Sequence, residues 1–392
     1  MANNRYDDMQ FEDVSSYSSS KEYKKKKKNK RGRTVLKSIM GLFSVLFIVA
    51  GMGLIYLSTD LLPDYNVQAI TKDKEELMIS PDATTDDSIT NIALFGLDAR
   101  DGSFQGLSDT IIVVSVDNKH NKIKMTSFLR DSKVVMAGYG GMNKINSAYS
   151  SLAYPDDGGP ELAIKTLNYN FNLNITEYAT INFANMANVV DAFGGVDITM
   201  TDEEAYQTNE NINALMYELL HMGYECNVWE DDFLPIDEDG YVAGGSFHLN
   251  GNQAVAYARN RSDSDNERSK RQRKVLMGLL TNMENMSASS YYSVAKNILP
   301  MCETSLEFGD LWNLAPILTK DFTIETITIP SQPYENPVGG DMGDGLGWVW
   351  EYDLERAAQH VDSFIYEDSS PYWDPSVGTG ADNLDELPPD LY

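Results

Sequence analysis

The stretch TNIALFGLDARDGSFQGLSDTIIVVSVDNKHNKIKMTSFLRD, residues 90–131, decides the fold. It holds three apolar runs, NIALFGL, TIIVVSV and KIKMTSFL. Each stops beside charge: Asp98 and Arg100 after the first, Asp109 and Asp117 flanking the second, Arg130 and Asp131 after the third. Runs of this length rich in Ile and Val have the composition of sheet strands, and the first two, apolar almost throughout, suit the middle of a sheet. Side chains at strand ends are fixed by a rigid sheet yet reach solvent, which makes the charged groups candidates for a site. Asp and Gly also serve turns that face water, so this stretch alone leaves both readings open.

An alternation of strands and helices continues downstream. GPELAIKTLNYNF, residues 159–171, places Pro in a first helical turn and Leu162, Ala163, Leu167 and Phe171 at helical spacing. Strands are expected over residues 178–183, 196–200 and 322–329. Helices are expected over 182–193, 209–221, 250–259 and 265–281, with shorter ones near 72–78, 290–298 and 306–319. Trp348, Trp350, Tyr352 and Leu354 precede a last helix ending near Phe364. The pattern predicts an α/β fold, a mixed central sheet flanked by helices on both faces.

The charge of the 392-residue chain is unevenly placed. Residues 1–37 hold 11 Lys and Arg against 5 Asp and Glu, a net of +6, while the rest hold 20 against 54, a net of −34. So acidic a body argues against nucleic-acid binding, which needs a basic surface to release counterions. SIMGLFSVLFIVAGMGLIYL, residues 38–57, is free of charge and long enough at 1.5 Å per residue to cross a hydrocarbon core of about 30 Å. With the basic block before it, the chain reads as a single-pass protein whose N-terminus is cytoplasmic and whose body lies outside. The expected organisation is a disordered tail over 1–37, the membrane helix over 38–57, a spacer over 58–89 and a domain over 90–364. Residues 365–392, which lack Lys and Arg, complete it as a disordered acidic tail. Outside a membrane, Cys226 and Cys302 can pair as a disulfide, with two buried free thiols as the alternative.

A second polar cluster, YARNRSDSDNERSKRQ, gathers Arg259, Arg261, Arg268 and Arg271 with Asp265 and Gln272 in residues 257–272. Arg presents a fork of donors suited to phosphate oxygens, and on a helix Arg268 and Gln272 share one face. Charge pattern alone favours a solvated helix paired with its own acids. Joined to the first cluster, the arginines gain a partner: Asp98 and Asp109 could hold Mg²⁺, and Arg100, Arg130, Arg259 and Arg261 could neutralise a pyrophosphate. The four histidines are scattered and show no zinc-ligand spacing.

Taken in order, NIALFGLDAR, LSDTIIVVSVD, SFLRD, GGMNKINSAYS, GGPELAIKTLN, VVDAFGGVDI and LNGNQAVAYARNR ending in DNERSKRQRKVL resemble the LytR–CpsA–Psr family of cell-envelope phosphotransferases. The resemblance implies transfer of a polyprenyl-pyrophosphate-linked glycopolymer to a sugar hydroxyl of peptidoglycan, forming a phosphodiester at an extracytoplasmic membrane surface. It implies Asp98 and Asp109 as Mg²⁺ ligands, Arg130, Arg259, Arg261 and Arg268 as phosphate-binding catalytic residues, and Asp265 as the acid that takes a proton or orients the site. Arg100, Lys144 and Gln272 fall on further motif positions and are expected to bind substrate. Two departures stand out: Leu129 where the family has Pro, and a longer stretch over 201–246, which contains Cys226 and can alter substrate choice. The competing readings are a polyprenyl pyrophosphate hydrolase using the same site, and a non-catalytic wall-binding module. A DNA-binding regulator finds no helix-turn-helix pattern.

Overall fold

The computed structural model describes residues 67–97, 106–222, 228–238, 241–260, 265–284, 297–307, 309–310, 322–332 and 334–380, with residues 294 and 314. Contacts divide the chain into Met1–Asp60 and Leu61–Tyr392, and all described residues belong to the second unit. Residues 1–37 and 38–57 lie outside them, as do most of the helices expected near 290–298 and 306–319. Among the described residues no helix is long and apolar enough to cross a membrane.

The three apolar runs form adjacent strands: β1 (Ile89–Leu97), β2 (Ser108–Asp117) and β3 (Lys122–Phe128), paired antiparallel in that order. After them come β4 (Lys133–Val135), β5 (Met142–Lys144), β6 (Glu177–Asn182), β7 (Val196–Met200) and β8 (Gly245–Leu249). β9 (Cys302–Thr304), β10 (Thr323–Ile329), β11 (Val338–Asp341) and β12 (Trp348–Glu351) follow. The central sheet has the order β10-β3-β2-β1-β6-β9. β6 joins β1 and β10 joins β3 in parallel, whereas β9 is antiparallel to β6, so the sheet is mixed with β1 and β2 at its middle.

Alternation along the strands sends side chains to two cores. Phe95 and Leu97 of β1, Val113 of β2 and Phe128 of β3 pack with Leu167 of α1 (Pro160–Phe171) and Phe364 of the C-terminal helix (Leu354–Tyr366). Against the other face lie α2 (Phe183–Ala192), α3 (Asp202–Met222), α4 (Gly251–Ala258) and α5 (Asp265–Glu284), the C-terminal helix being α6. Val190, Tyr257 and Leu279 from α2, α4 and α5 share the second core with β7 and β8. The close crossing of α2 and α4 depends on Gly251, where a Cβ would come within 2.1 Å of the Ala187 carbonyl oxygen. The mixed sheet with helices on both faces is therefore present as expected.

Several elements depart from the sequence reading. Among the described residues β7 lies outside the central sheet and pairs with β8; Val196, Ile198 and Met200 pack into the second core while Asp197 and Thr199 are exposed. The helix expected near 72–78 is a hydrogen-bonded turn, ended by Met78 in the left-handed region (φ 54°). Although residues 58–89 read as a spacer, Leu77 and Ile79 from that segment are buried in the first core.

The acidic C-terminal segment corrects the expectation that residues 365–392 stay in solvent: its first residues are docked. Glu367 Oε1 lies 2.8 Å from Lys124 Nζ, a fully buried group that also donates to Asp117 Oδ2 (3.0 Å) and the Ile365 carbonyl (2.7 Å). Three acceptors for three N–H bonds satisfy a lysine that water cannot reach. Residues 381–392 lie outside the described residues.

Candidate functional site

Strand alternation would point Asp109 and Thr110 to opposite sides of the sheet. The β1–β2 ladder breaks between them. Gly96 pairs with Thr110 but Leu97 pairs with Ser108, so Asp109 is the extra residue of a bulge. Bulges re-aim side chains and recur beside functional sites. Here both neighbours reach α5: Arg268 Nη2 donates to Asp109 Oδ2 at 2.6 Å, and Thr110 Oγ1 donates to Gln272 Oε1 at 2.8 Å. Arg268 and Gln272 stand one helical turn apart on one face, as their spacing predicts. Gly96 makes room for the arrangement, since a Cβ there would approach Thr110 Cβ to 2.9 Å.

Arg130, just past β3, closes the other side of the carboxylate with Nη1 3.1 Å from Asp109 Oδ1. Its Nε donates to Asp131 Oδ2 at 3.2 Å, and Asp131 Oδ1 accepts from Lys144 Nζ of β5 at 2.7 Å. The Asp109 and Arg268 side chains are only 9% and 7% exposed. Burial pushes the Asp109 carboxyl up, but the Arg268 and Arg130 guanidinium groups outweigh it and hold the group below the usual carboxylate value. Asp109 is thus an ionised, hard oxygen donor between two fixed cations.

Arg259, at the C-terminal end of α4, pairs with Glu218 of α3, its Nη2 lying 3.2 Å from each carboxylate oxygen. Asp265 is the first residue of α5. Asp98, Arg100, Arg261 and Cys226 lie outside the described residues. Five expected residues, Asp109, Arg130, Arg268, Lys144 and Gln272, therefore join one local network through Thr110 and Asp131.

An apolar cavity of about 230 Å³ starts at this network and lies between the sheet and α2, α4 and α5. Leu94, Ile112, Ile181, Val189, Ala254 and Leu279 are among its walls, and Asp109, Thr110, Arg268 and Gln272 supply its polar part. Cys302 is also on the wall. It is a free thiol, pushed up to about 11 by burial, and Cys226, its expected partner, lies outside the described residues.

Sequence reasoning left Arg271 without a role. It is 3% exposed and ties α5 to α3 through Glu204 (2.9 Å) and to the Asn260 carbonyl (3.2 Å), which fixes the helix that carries Arg268 and Gln272. Its signal was present, since Arg271 lies in the same basic run, but its direction depends on the packing of three helices. A second acidic group, Asp117, His120 and Glu367, brings its ligand atoms within 4.8 Å of one another at the opposite end of β2. Lys124 Nζ bonds both Asp117 and Glu367, and Lys122 Nζ lies 2.7 Å from Glu367, so two lysines already neutralise the two carboxylates.

A family model, the LytR_cpsA_psr family, matches residues 58–363. The chain belongs to the LytR_cpsA_psr family. Among curated members, it is 28% identical over 342 residues to the polyisoprenyl-teichoic acid–peptidoglycan teichoic acid transferase TagU of Enterococcus faecalis, covering 84% of this chain and 97% of that protein. It is 27% identical over 229 residues to TagU of Bacillus subtilis, covering 57% and 62%. Among solved structures, Bacillus subtilis TagV aligns with a TM-score of 0.53 at 25% identity, covering 72% of this chain and 98% of that one. TagT bound to LI-WTA aligns at 0.53 and 21% identity, covering 72% and 91%, a likeness of fold.

Proposed function

We propose that this family member moves a polyprenyl-pyrophosphate-linked glycopolymer onto a sugar hydroxyl of peptidoglycan. The observation that carries the reading is the Arg268–Asp109–Arg130 cluster set at the polar part of an apolar cavity. A polyprenyl chain is apolar and its pyrophosphate is anionic, so one ligand would match both parts. The names of the TagU relatives, which describe transfer of teichoic acid from a polyisoprenyl carrier to peptidoglycan, support the same substrates. One solved relative, at a TM-score of 0.50, carries octaprenyl pyrophosphate.

In this mechanism the acceptor hydroxyl attacks the phosphorus next to the glycan. An O–P bond forms, the bond to the bridging oxygen breaks, and polyprenyl phosphate leaves. Arg130, Arg259, Arg261 and Arg268, with Arg100, Lys144 and Gln272, bind and orient the phosphates, and Asp265 takes the hydroxyl proton. Asp109 suits Mg²⁺, being ionised and having about four lone-pair sites, so two guanidinium bonds do not by themselves exhaust it. Asp98 would be the second ligand, and the ion would supply charge neutralisation at the phosphate oxygens. The reading places the domain outside the cell, anchored through residues 38–57, with membrane lipid and peptidoglycan as partners and no nucleic acid.

The test is transfer from a purified lipid-linked donor to peptidoglycan, with and without Mg²⁺. Wild type should form a wall conjugate that Asp109→Ala and Arg259→Ala do not. Release of free phosphorylated glycan instead would identify a hydrolase.

A further inference from the structure

The β11–β12 hairpin presents a rigid aromatic surface next to the arginine and carboxylate network, and the proposed chemistry makes no use of it. Trp350 is 8% exposed, and its backbone N–H donates to the carbonyl oxygen of Asp131 at 2.9 Å. Asp131 is the residue that holds Arg130 and Lys144. Trp348, two residues earlier on the same side of the strand, packs edge-on against Trp350 with ring centroids 4.9 Å apart. Both indoles meet over Gly339, where a Cβ would lie 2.6 Å from Trp348 Cζ2 and 3.0 Å from Trp350 Cζ3. The missing side chain is what lets Trp348 lie across the neighbouring strand. Its outer part stays in water, at 45% exposure.

An indole fixed in this way offers a large, flat apolar surface with little entropy left to lose on binding. The groups around it select the ligand. Asp341 stands directly opposite Trp348 across the hairpin and on the same face, whereas Glu351 points to the other face, where it and Asp344 pair with Lys133 (2.9 and 2.8 Å). The carboxylate beside the indole repels a phosphate-rich polymer and accepts hydrogen bonds from hydroxyl and amide groups of a neutral sugar. We infer that Trp348 is a binding subsite for a sugar ring of the acceptor glycan, which it holds near the phosphate-binding residues through the Trp350–Asp131 link. The assignment of the ring to the acceptor rests on the transferase reading, whereas the sugar-binding property does not.

The test titrates the full chain in detergent with a soluble β-1,4-linked N-acetylglucosamine tetramer, following tryptophan fluorescence and calorimetry. Wild type should bind, Trp348→Ala should bind at least tenfold more weakly, and Trp348→Phe, which keeps an aromatic face, should retain most of the affinity. Unfolding curves of the three proteins report whether the hairpin is intact. Failure of the wild type to bind, or equal binding by wild type and a folded Trp348→Ala, overturns the subsite. Binding that depends on Trp348 in a protein that transfers no glycopolymer would keep the subsite and remove the transferase reading.

Discussion

Asp109 and Arg268, 159 positions apart in the chain, meet at 2.6 Å in a nearly dry contact between β2 and α5. Removing one partner of such a pair strands a buried charge, at a cost of about 3–5 kcal/mol. Arg268→Ala should therefore lower stability toward urea, and under the proposed mechanism should also lower kcat about 10²- to 10³-fold by loss of one fixed donor. Adding Asp109→Asn should restore part of the stability and none of the activity. Equal urea midpoints for wild type and Arg268→Ala would show that the pair is not a stabilising contact.

The pH dependence of stability has a fixed sign. Burial raises the Asp109 carboxyl, and the two arginines lower it further, leaving it below its ordinary 3.8 in the folded protein. Its contribution is complete above the unfolded value and is lost as pH falls through the lower folded value. Asp109→Asn should therefore flatten the loss of stability between about pH 5 and pH 2. Urea midpoints across that window measure it, and parallel curves for the two proteins would contradict it.

Under the proposed mechanism Glu218 competes with phosphate for Arg259. The pair is partly exposed, 19% and 29% at the side chains, so its net worth is about 0.2–1 kcal/mol. Glu218→Gln should leave the unfolding midpoint nearly unchanged and tighten donor binding by about two- to fivefold. A weaker donor affinity in this variant would instead make Glu218 a support for Arg259.

The cavity wall gives a separate test. Ala179→Phe fills space rather than a packed core, so it should cost less than the about 1–3 kcal/mol of ordinary overpacking. Binding of a polyprenyl pyrophosphate should fall at least tenfold, while a short soluble pyrophosphate should bind as before. Loss of both would place the damage at the polar end.

The sequence made the sheet visible because β1 to β3 are long apolar runs; α4, expected over residues 250–259, is fixed at its start by a reciprocal cap between Asn250 and Gln253, each bond 2.9 Å. The arginines were visible because they are concentrated in an otherwise acidic body. Three things were not. The bulge at Asp109 is a matter of pairing register between two strands, and neither strand alone records it. Lys124 lies within the run KIKMTSFL, and the carboxylate that lets it be buried there, Glu367, is more than 240 residues away in sequence. The cavity is lined by Leu, Ile, Val and Ala that are indistinguishable by type from ordinary core.

The docked Glu367 also bears on how the protein is made. Lys124 belongs to an early hairpin, but its second carboxylate and the Ile365 carbonyl arrive from the last tenth of the chain. The β2–β3 hairpin formed alone leaves Lys124 with Asp117 as its partner and two acceptors short, so burial of the lysine and docking of residues 365–367 are coupled. A variant cut before residue 365 should therefore unfold at lower urea than the full chain, and the loss should shrink when Lys124 is replaced by Met.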